Sequence, residues 1–201
     1  MAGGRDWAGG RETRAAGITA PTAAPRVIFP PMRGSRGEFK VSVRKEDLVF
    51  AAAHFITLPG HRCEALHGHN YRAAVEINGG LEPDAWYVYD FVALKQLMRR
   101  LTNELDHKVL LPTTNPSLAV QEQPGTTTVS YDGRQRYSFP AGDCVLLPIP
   151  NTTVEMLAQY LTGRVRDALK ATGAAHLTSI QIEVEENFGQ SATYREELVW
   201  D

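Results

Sequence analysis

An α+β fold, an antiparallel sheet with two helices on one of its faces, is predicted by three features of the 201-residue sequence. Three stretches of apolar–polar alternation come before any helical pattern. Two helical stripes follow, and two further alternating stretches close the chain, a segregation of strands from helices that parallel βαβ folds do not show.

Phe39-Lys-Val-Ser-Val-Arg-Lys45 alternates as a half-buried strand does, and Lys45-Glu46-Asp47 reads as a turn into a second strand over Leu48 to Thr57. The two suggest an antiparallel hairpin. After the Pro59-Gly60 loop, Gly68 to Asn78 alternates Tyr71, Ala73, Val75 and Ile77 against Arg72, Ala74 and Glu76, and Asn78-Gly79-Gly80 ends it. Trp86 to Tyr89 reads as a short extended piece running into Asp90, a suitable N-cap. Phe91, Leu94, Leu97, Met98, Leu101 and Leu105 form the stripe of a helix that ends near Asp106.

Pro112 and Pro116 open an irregular region, and about 112–147 reads as an insertion. Within it Thr126 to Tyr131, the Asp132-Gly133 turn and Arg134 to Phe139 fit a hairpin. Thr152 and Glu155 have capping-box spacing for the second helix, whose apolar face is Met156, Leu157, Tyr160, Leu161, Val165 and Leu169. Gly173 stops it; Thr178 to Glu185 and Ser191 to Val199 are the last two strands. The sheet face away from the helices needs a cover, and self-association is one way to supply it.

With 43% hydrophobic residues the chain can bury one ordinary core, placed in a single domain over 38–201. Residues 1–37, rich in Gly, Ala, Pro and Arg, read as a disordered extension or a misplaced start site. They lack the apolar region of a secretory signal, and Asp6 and Glu12 weaken a transit-peptide reading. A net charge of −2 gives no bulk attraction to nucleic acid, and no apolar run approaches the roughly 20 residues that span a bilayer. Two cysteines, Cys63 and Cys144, are too few for a disulfide scaffold, so a reducing cytoplasm is the expected compartment.

Four of the six histidines fall between Phe50 and Tyr71. His67 and His69, two apart on a strand, point to one face, and His54 can supply a third imidazole. Three neutral imidazoles with an open position suit a catalytic zinc ion, although an H-x-H pair can equally be a set of ordinary polar residues. Cys63, four residues before His67, has three open roles: a small buried hydrophobe, a fourth ligand that would close the site, or a thiolate base. Asp106-His107 reads either as a histidine at a helix C-terminus or as a carboxylate–imidazole proton relay. Glu185 alternates away from Val184 and reads as solvated surface; Glu186, at the strand end, could bind the guanidine-like edge of a heterocycle. Cys144 and His176 read as structural, and His61 as a solvated loop residue.

Taken together, Phe50-Ala-Ala-Ala-His54, Cys63-Glu-Ala-Leu-His67-Gly-His69-Asn-Tyr71, Val88-Tyr-Asp90-Phe91, Leu105-Asp106-His107, Asn151-Thr-Thr153-Val-Glu155 and Glu186 resemble, in order, the motifs of the 6-pyruvoyl-tetrahydropterin synthase and 6-carboxytetrahydropterin synthase family. The likeness covers about 39–110 and 148–198. It implies a tunnelling fold (T-fold) whose barrel forms by oligomerisation into trimers or hexamers, with active sites between subunits. It further implies Zn2+ on His54, His67 and His69, Cys63 as general base with Asp106 and His107 as its relay, and Glu186 and Thr153 on a small-molecule pterin. The three residues between Cys63 and His67 are similar to the bacterial 6-carboxytetrahydropterin synthases that feed queuosine-type deazapurine synthesis. The alternatives are a 6-pyruvoyl-tetrahydropterin synthase and a non-catalytic zinc- or pterin-binding relative.

Overall fold

The computed structural model describes residues 37–200 apart from 45, 47, 61 and 83, so the extension expected over 1–37 lies, but for Gly37, outside the described residues, as does His61. Its elements run β1 (Phe39–Val43), β2 (Val49–His54), β3 (Thr57–Leu58), β4 (Arg62–Cys63), β5 (His67–Gly79), α1 (Phe91–Leu105), β6 (Lys108–Pro112), β7 (Leu118–Gln123), β8 (Thr126–Tyr131), β9 (Arg134–Pro140), β10 (Cys144–Leu147), α2 (Val154–Thr172), β11 (Leu177–Asn187) and β12 (Gln190–Glu197).

Seven strands make the main sheet, ordered β10-β6-β2-β5-β11-β12 with β1 also on β5. The hairpin expected from β1 and β2 is not there. Both strands pair antiparallel with β5, β1 along Val75 to Gly79 and β2 along His67 to Arg72. They behave as one long strand broken by an excursion around Glu46. The break changes the inward phase from Val41 and Val43 to Leu48, Phe50, Ala52 and His54, which an uninterrupted strand could not do.

The sheet is mostly antiparallel, yet β6 runs parallel to β2 and β10 parallel to β6. β10 falls in the region expected to be irregular, and β6 lies just before it, where no strand is expected. Lys108-Val-Leu-Leu-Pro112 does not alternate because Leu110 and Leu111 are both fully buried, and a strand covered on two faces reads as a continuous apolar run. Trp86 to Tyr89 is a bend rather than an extended piece, with Trp86 at φ 59°.

One core joins both helices to the inner face of the sheet: Leu94, Met98, Leu101 and Leu105 of α1 and Leu157, Leu161, Val165 and Leu169 of α2 meet Phe50, Tyr71, Val75, Ile77, Ile180 and Ile182. Asp90 caps α1 by accepting from Val92 N at 2.7 Å, as expected. At α2 the cap is Thr153, not Thr152: its hydroxyl accepts from Met156 N, and Gly173 closes the helix at φ 70°.

The expected hairpin over 126–139 is two strands of a three-stranded sheet, β7-β8-β9, since Leu118–Gln123 also pairs with β8. This small sheet has its own buried centre of Phe55, Leu111 and Val129, with Tyr137, Phe139 and Cys63 packed at its margin.

Candidate metal centre and its flanking clefts

Strand β5 is 13 residues long, and its inner face continues past the helix-covered core. Ile77, Val75, Ala73 and Tyr71 lie in the core; two and four residues further back on the same face stand His69 and His67. Register places His54 of β2 directly opposite His67. The three rings therefore meet, with centroids 4.6 Å (His54–His67), 5.2 Å (His54–His69) and 5.0 Å (His67–His69) apart. One nitrogen from each lies within 4.8 Å of the others.

The outward nitrogens of two rings are spoken for. His54 Nδ1 donates to the Thr152 carbonyl at 2.9 Å, and His67 Nδ1 donates to the Ala65 carbonyl at 2.9 Å. A carbonyl only accepts, so both imidazoles carry the proton on Nδ1 and present the Nε2 lone pair to the cluster. His54 Nε2 is fully buried and has no hydrogen-bond partner. Burial, opposed by the Thr152 bond and reinforced by the two neighbouring imidazoles, lowers the His54 pKa to about 4. A neutral, oriented imidazole with an unused lone pair beside two others makes a cation-ligand set, and three nitrogen donors without a carboxylate suit zinc.

Thr152 is a site residue that sequence reasoning missed. Its hydroxyl donates to Phe55 O at 3.0 Å, while Asn151 bonds both backbone polar groups of Thr57. The 151–153 turn thus straps the end of β2 from the far side. The signal was present in Asn151-Thr-Thr153, but helix capping explained it first.

Two clefts flank His69, and Gly68, His69 and Asn70 line both. The first, about 500 Å³, is bounded by Ala51, Ala53, His107, Lys108 and Asp143. Here Asp106 and His107 form a pair. Asp106 Oδ1 accepts from Ala51 N at 2.8 Å, and Oδ2 lies 2.8 Å from His107 Nδ1. Side chains of sequence neighbours normally diverge; His107 returns to Asp106 because its backbone is left-handed, φ 56°, held by His107 N donating to Ala51 O at 2.6 Å. The Ala51 amide, with lesser help from His107, holds the Asp106 carboxyl below the usual carboxylate range.

The second cleft, about 280 Å³, is lined by Arg72, Glu185, Glu186, Asn187 and Phe188. The β11–β12 ladder slips between Glu185 and Asn187, so Glu186 is the extra residue of a bulge, a device that re-aims a side chain. Glu185 corrects the surface expectation: it is 8% exposed and accepts from Gly189 N at 3.0 Å, which shapes the bulge.

Cys63 is not in the histidine cluster. It ends β4 against the small Phe55–Leu111 core, its thiol 3.7 Å from Glu64 O, and no described hydrogen bond joins it to Asp106 or His107. Burial pushes the thiol pKa up, Arg136 opposes that, and Glu64 adds to it. Outside the cluster, Cys144 Sγ lies 3.6 Å from Pro140 O, and His176 Nε2 is bonded to Val88 O at 2.7 Å.

Comparison with known proteins gives a consistent picture. The family model for 6-pyruvoyl tetrahydropterin synthase matches residues 42–197. A Methanocaldococcus jannaschii protein provisionally named as a 6-carboxy-5,6,7,8-tetrahydropterin synthase is 36% identical over 75% of this chain and 91% of its own. The Haemophilus influenzae protein of that name is 26% identical over 64% of this chain and 82% of its own. Among solved structures, Plasmodium falciparum 6-pyruvoyl tetrahydropterin synthase superposes with a TM-score of 0.73 at 31% identity, covering 80% of this chain and 99% of that one. The Plasmodium vivax protein is similar at 0.73 and 29%, covering 81% and 99%, and its solved forms include replacements of a glutamate described as a catalytic residue. The curled, mostly antiparallel sheet with two helices is that T-fold.

Proposed function

The chain belongs to the 6-pyruvoyl tetrahydropterin synthase family, and on that premise we propose that it is a zinc-dependent lyase of 7,8-dihydroneopterin triphosphate, of the 6-carboxytetrahydropterin synthase type. The observation that carries this reading is the orphaned Nε2 of His54, buried beside His67 and His69 between a cleft with Asp106–His107 and a cleft with Glu186.

His54, His67 and His69 would hold zinc, which supplies Lewis-acid polarisation of substrate oxygens. Glu186 accepts hydrogen bonds from the guanidine-like edge of the pterin, and Thr153, whose hydroxyl oxygen already caps α2, has its O–H left to donate. Cys63 removes a proton from the substrate side chain, and Asp106–His107 passes it on. Cys63 and the Asp106–His107 pair are not joined within one chain, as expected if a second copy completes the site. The main sheet ends in strands β10 and β12, neither paired on its outer side among the described residues, and we propose closure there into a trimeric or hexameric barrel. Two unpaired cysteines fit a reducing cytoplasm, and no described helix is long and apolar enough to cross a membrane.

The names of the relatives support the 6-carboxy reading, and with it we propose a role in queuosine-type deazapurine synthesis. The test is product identification: purified protein, zinc and dihydroneopterin triphosphate should yield triphosphate, acetaldehyde and 6-carboxytetrahydropterin. Triphosphate without acetaldehyde makes it a 6-pyruvoyl synthase; no new pterin at all leaves a binding protein and sinks the lyase reading.

A second reading keeps the site and changes the base. Glu64 follows Cys63 in the same loop and is half-buried, the Cys63 thiol is pushed up rather than down, and the Plasmodium vivax relative has a glutamate described as catalytic. On this reading Glu64 takes the proton. Cys63→Ala and Glu64→Gln separate the two, because only the variant of the true base loses turnover.

A further inference from the structure

The small β7-β8-β9 sheet is hydrogen-bonded to the loop between the two metal-binding strands through Arg136-Tyr137 of β9. Arg136 Nη2 donates to Cys63 O at 3.0 Å and to Glu64 O at 2.9 Å, while its Nε donates to the Tyr137 hydroxyl at 3.1 Å. That hydroxyl also accepts from Leu66 N at 3.1 Å. Three consecutive peptide groups, running on from the end of the β3–β4 ladder, are therefore fixed from β9.

The clamp reaches the histidine cluster on both sides. Ala65 lies inside the clamped loop, and its carbonyl holds His67 Nδ1. The Tyr137 ring packs 5.3 Å from Phe55, the fully buried neighbour of His54, and 5.5 Å from Phe139. A segment whose residues Ala65 and Leu66 are exposed and outside any strand would otherwise sample many conformations, and site residues tolerate little misplacement.

We propose that Arg136 and Tyr137 are positioning residues, which hold the Cys63–Leu66 loop so that its side chains are presented to a substrate bound at the three histidines. This rests on the lyase reading above, and it gives the small sheet a role in that reaction whichever of Cys63 and Glu64 is the base. Neither residue touches the reacting atoms.

The test compares Arg136→Ala, Arg136→Lys and Tyr137→Phe with the full chain by amide hydrogen exchange and by steady-state kinetics. Tyr137→Phe keeps the ring on Phe55 and deletes only the hydroxyl, the acceptor for Leu66 N and Arg136 Nε. Exchange over 63–66 should rise about tenfold in Arg136→Ala and Tyr137→Phe, the size of one lost charge-assisted or loop hydrogen bond, with the main sheet unchanged. The same two variants should lose about tenfold in kcat at unchanged KM, the mark of a group that acts on the transition state rather than on binding. Arg136→Lys, which keeps charge without the fork, should recover part of both. Unchanged exchange over 63–66 overturns the clamp, and raised exchange with unchanged kcat overturns its positioning role. If the wild-type chain turns over no pterin, the lyase reading has failed, and the exchange data alone uphold or reject the hold on the loop.

Discussion

His54 Nδ1 donates to the carbonyl of Thr152, 98 residues away in the chain, and this bond decides which nitrogen faces the metal centre. Thr152 is held in turn by its own hydroxyl on Phe55 O, both groups being buried.

Thr152→Val tests that strap. The substitution keeps the shape and leaves the Phe55 carbonyl without its donor, at a cost of about 1–3 kcal/mol of stability. The shifted turn should weaken zinc binding about 10- to 100-fold, as loss of an outer partner of a metal histidine does. Thermal unfolding of the metal-free chain and chelator competition read the two effects separately. Unchanged zinc affinity would show that Thr152 O stays in place without its hydroxyl.

The metal-free chain should lose stability as pH falls from about 6.5 toward 4. His54 has its folded pKa below the unfolded value, so in this window the unfolded chain binds more protons and stability rises with pH. The effect is complete above pH 6.5 and amounts to at most about 3 kcal/mol. Asp106, with its folded pKa lowered, contributes in the same direction but over a more acidic window, below the ordinary carboxylate value. Urea melts at pH 7 and pH 5 on the wild type and on His54→Asn check it. If the variant shows the same pH slope, the slope does not come from His54.

Local pattern revealed the pieces of this fold and topology arranged them. The alternation of Tyr71, Ala73, Val75 and Ile77 and the stripe from Leu94 to Leu105 identify β5 and α1 because each buries one face. Nothing local shows that β1 and β2 share a single edge of β5, or that β6 and β10 enter parallel, since the first depends on the excursion around Glu46 and the others on where α1 and then the β7-β8-β9 sheet deliver the chain. The site divides the same way. His67 and His69 are paired by strand periodicity, whereas Thr152, Arg136 and the left-handed turn at His107 act through backbone atoms that residue types do not announce.

Asp106→Asn should leave the fold intact and remove most of the turnover. Its carbonyl can still accept from Ala51 N, but its amide now faces His107 Nδ1 with a donor. His107 then takes the other tautomer, with the proton on Nε2, and can no longer accept a proton there. Turnover should fall about 10²- to 10⁴-fold, the usual weight of a general acid–base group. Melting and steady-state rates on the same preparation decide it. A full-rate variant would remove Asp106 from the proposed relay.

Cys63→Ala should keep zinc whichever residue is the base. The thiol lies in the Phe55–Leu111 margin with its hydrogen toward Glu64 O, and the histidine cluster offers three donors without it. Zinc content after gel filtration should stay at one ion per chain in the variant, as in the wild type. Loss of the ion would make Cys63 a fourth ligand, and the closed site that follows could not bind substrate oxygens.

Glu185 and Glu186 are adjacent acids with opposite fates, and that contrast gives the last test. Glu185 is buried and accepts from Gly189 N, so Glu185→Ala leaves that amide and the bulge unsupported and should cost about 1–3 kcal/mol. Glu186 lines the cleft beside His69, where a carboxylate can accept two parallel N–H bonds from a heterocycle. Glu186→Gln keeps its size but offers a single acceptor and a repelling donor. KM for the pterin should rise about 10- to 100-fold, with melting unchanged, because a site built for a hydrogen-bonded edge discriminates strongly against mismatched groups. An isosteric change that affects binding alone identifies Glu186 as a ligand for the ring. The reverse pattern, in which Glu186→Gln lowers the melting temperature and leaves KM alone, would return it to the structural role that Glu185 already fills.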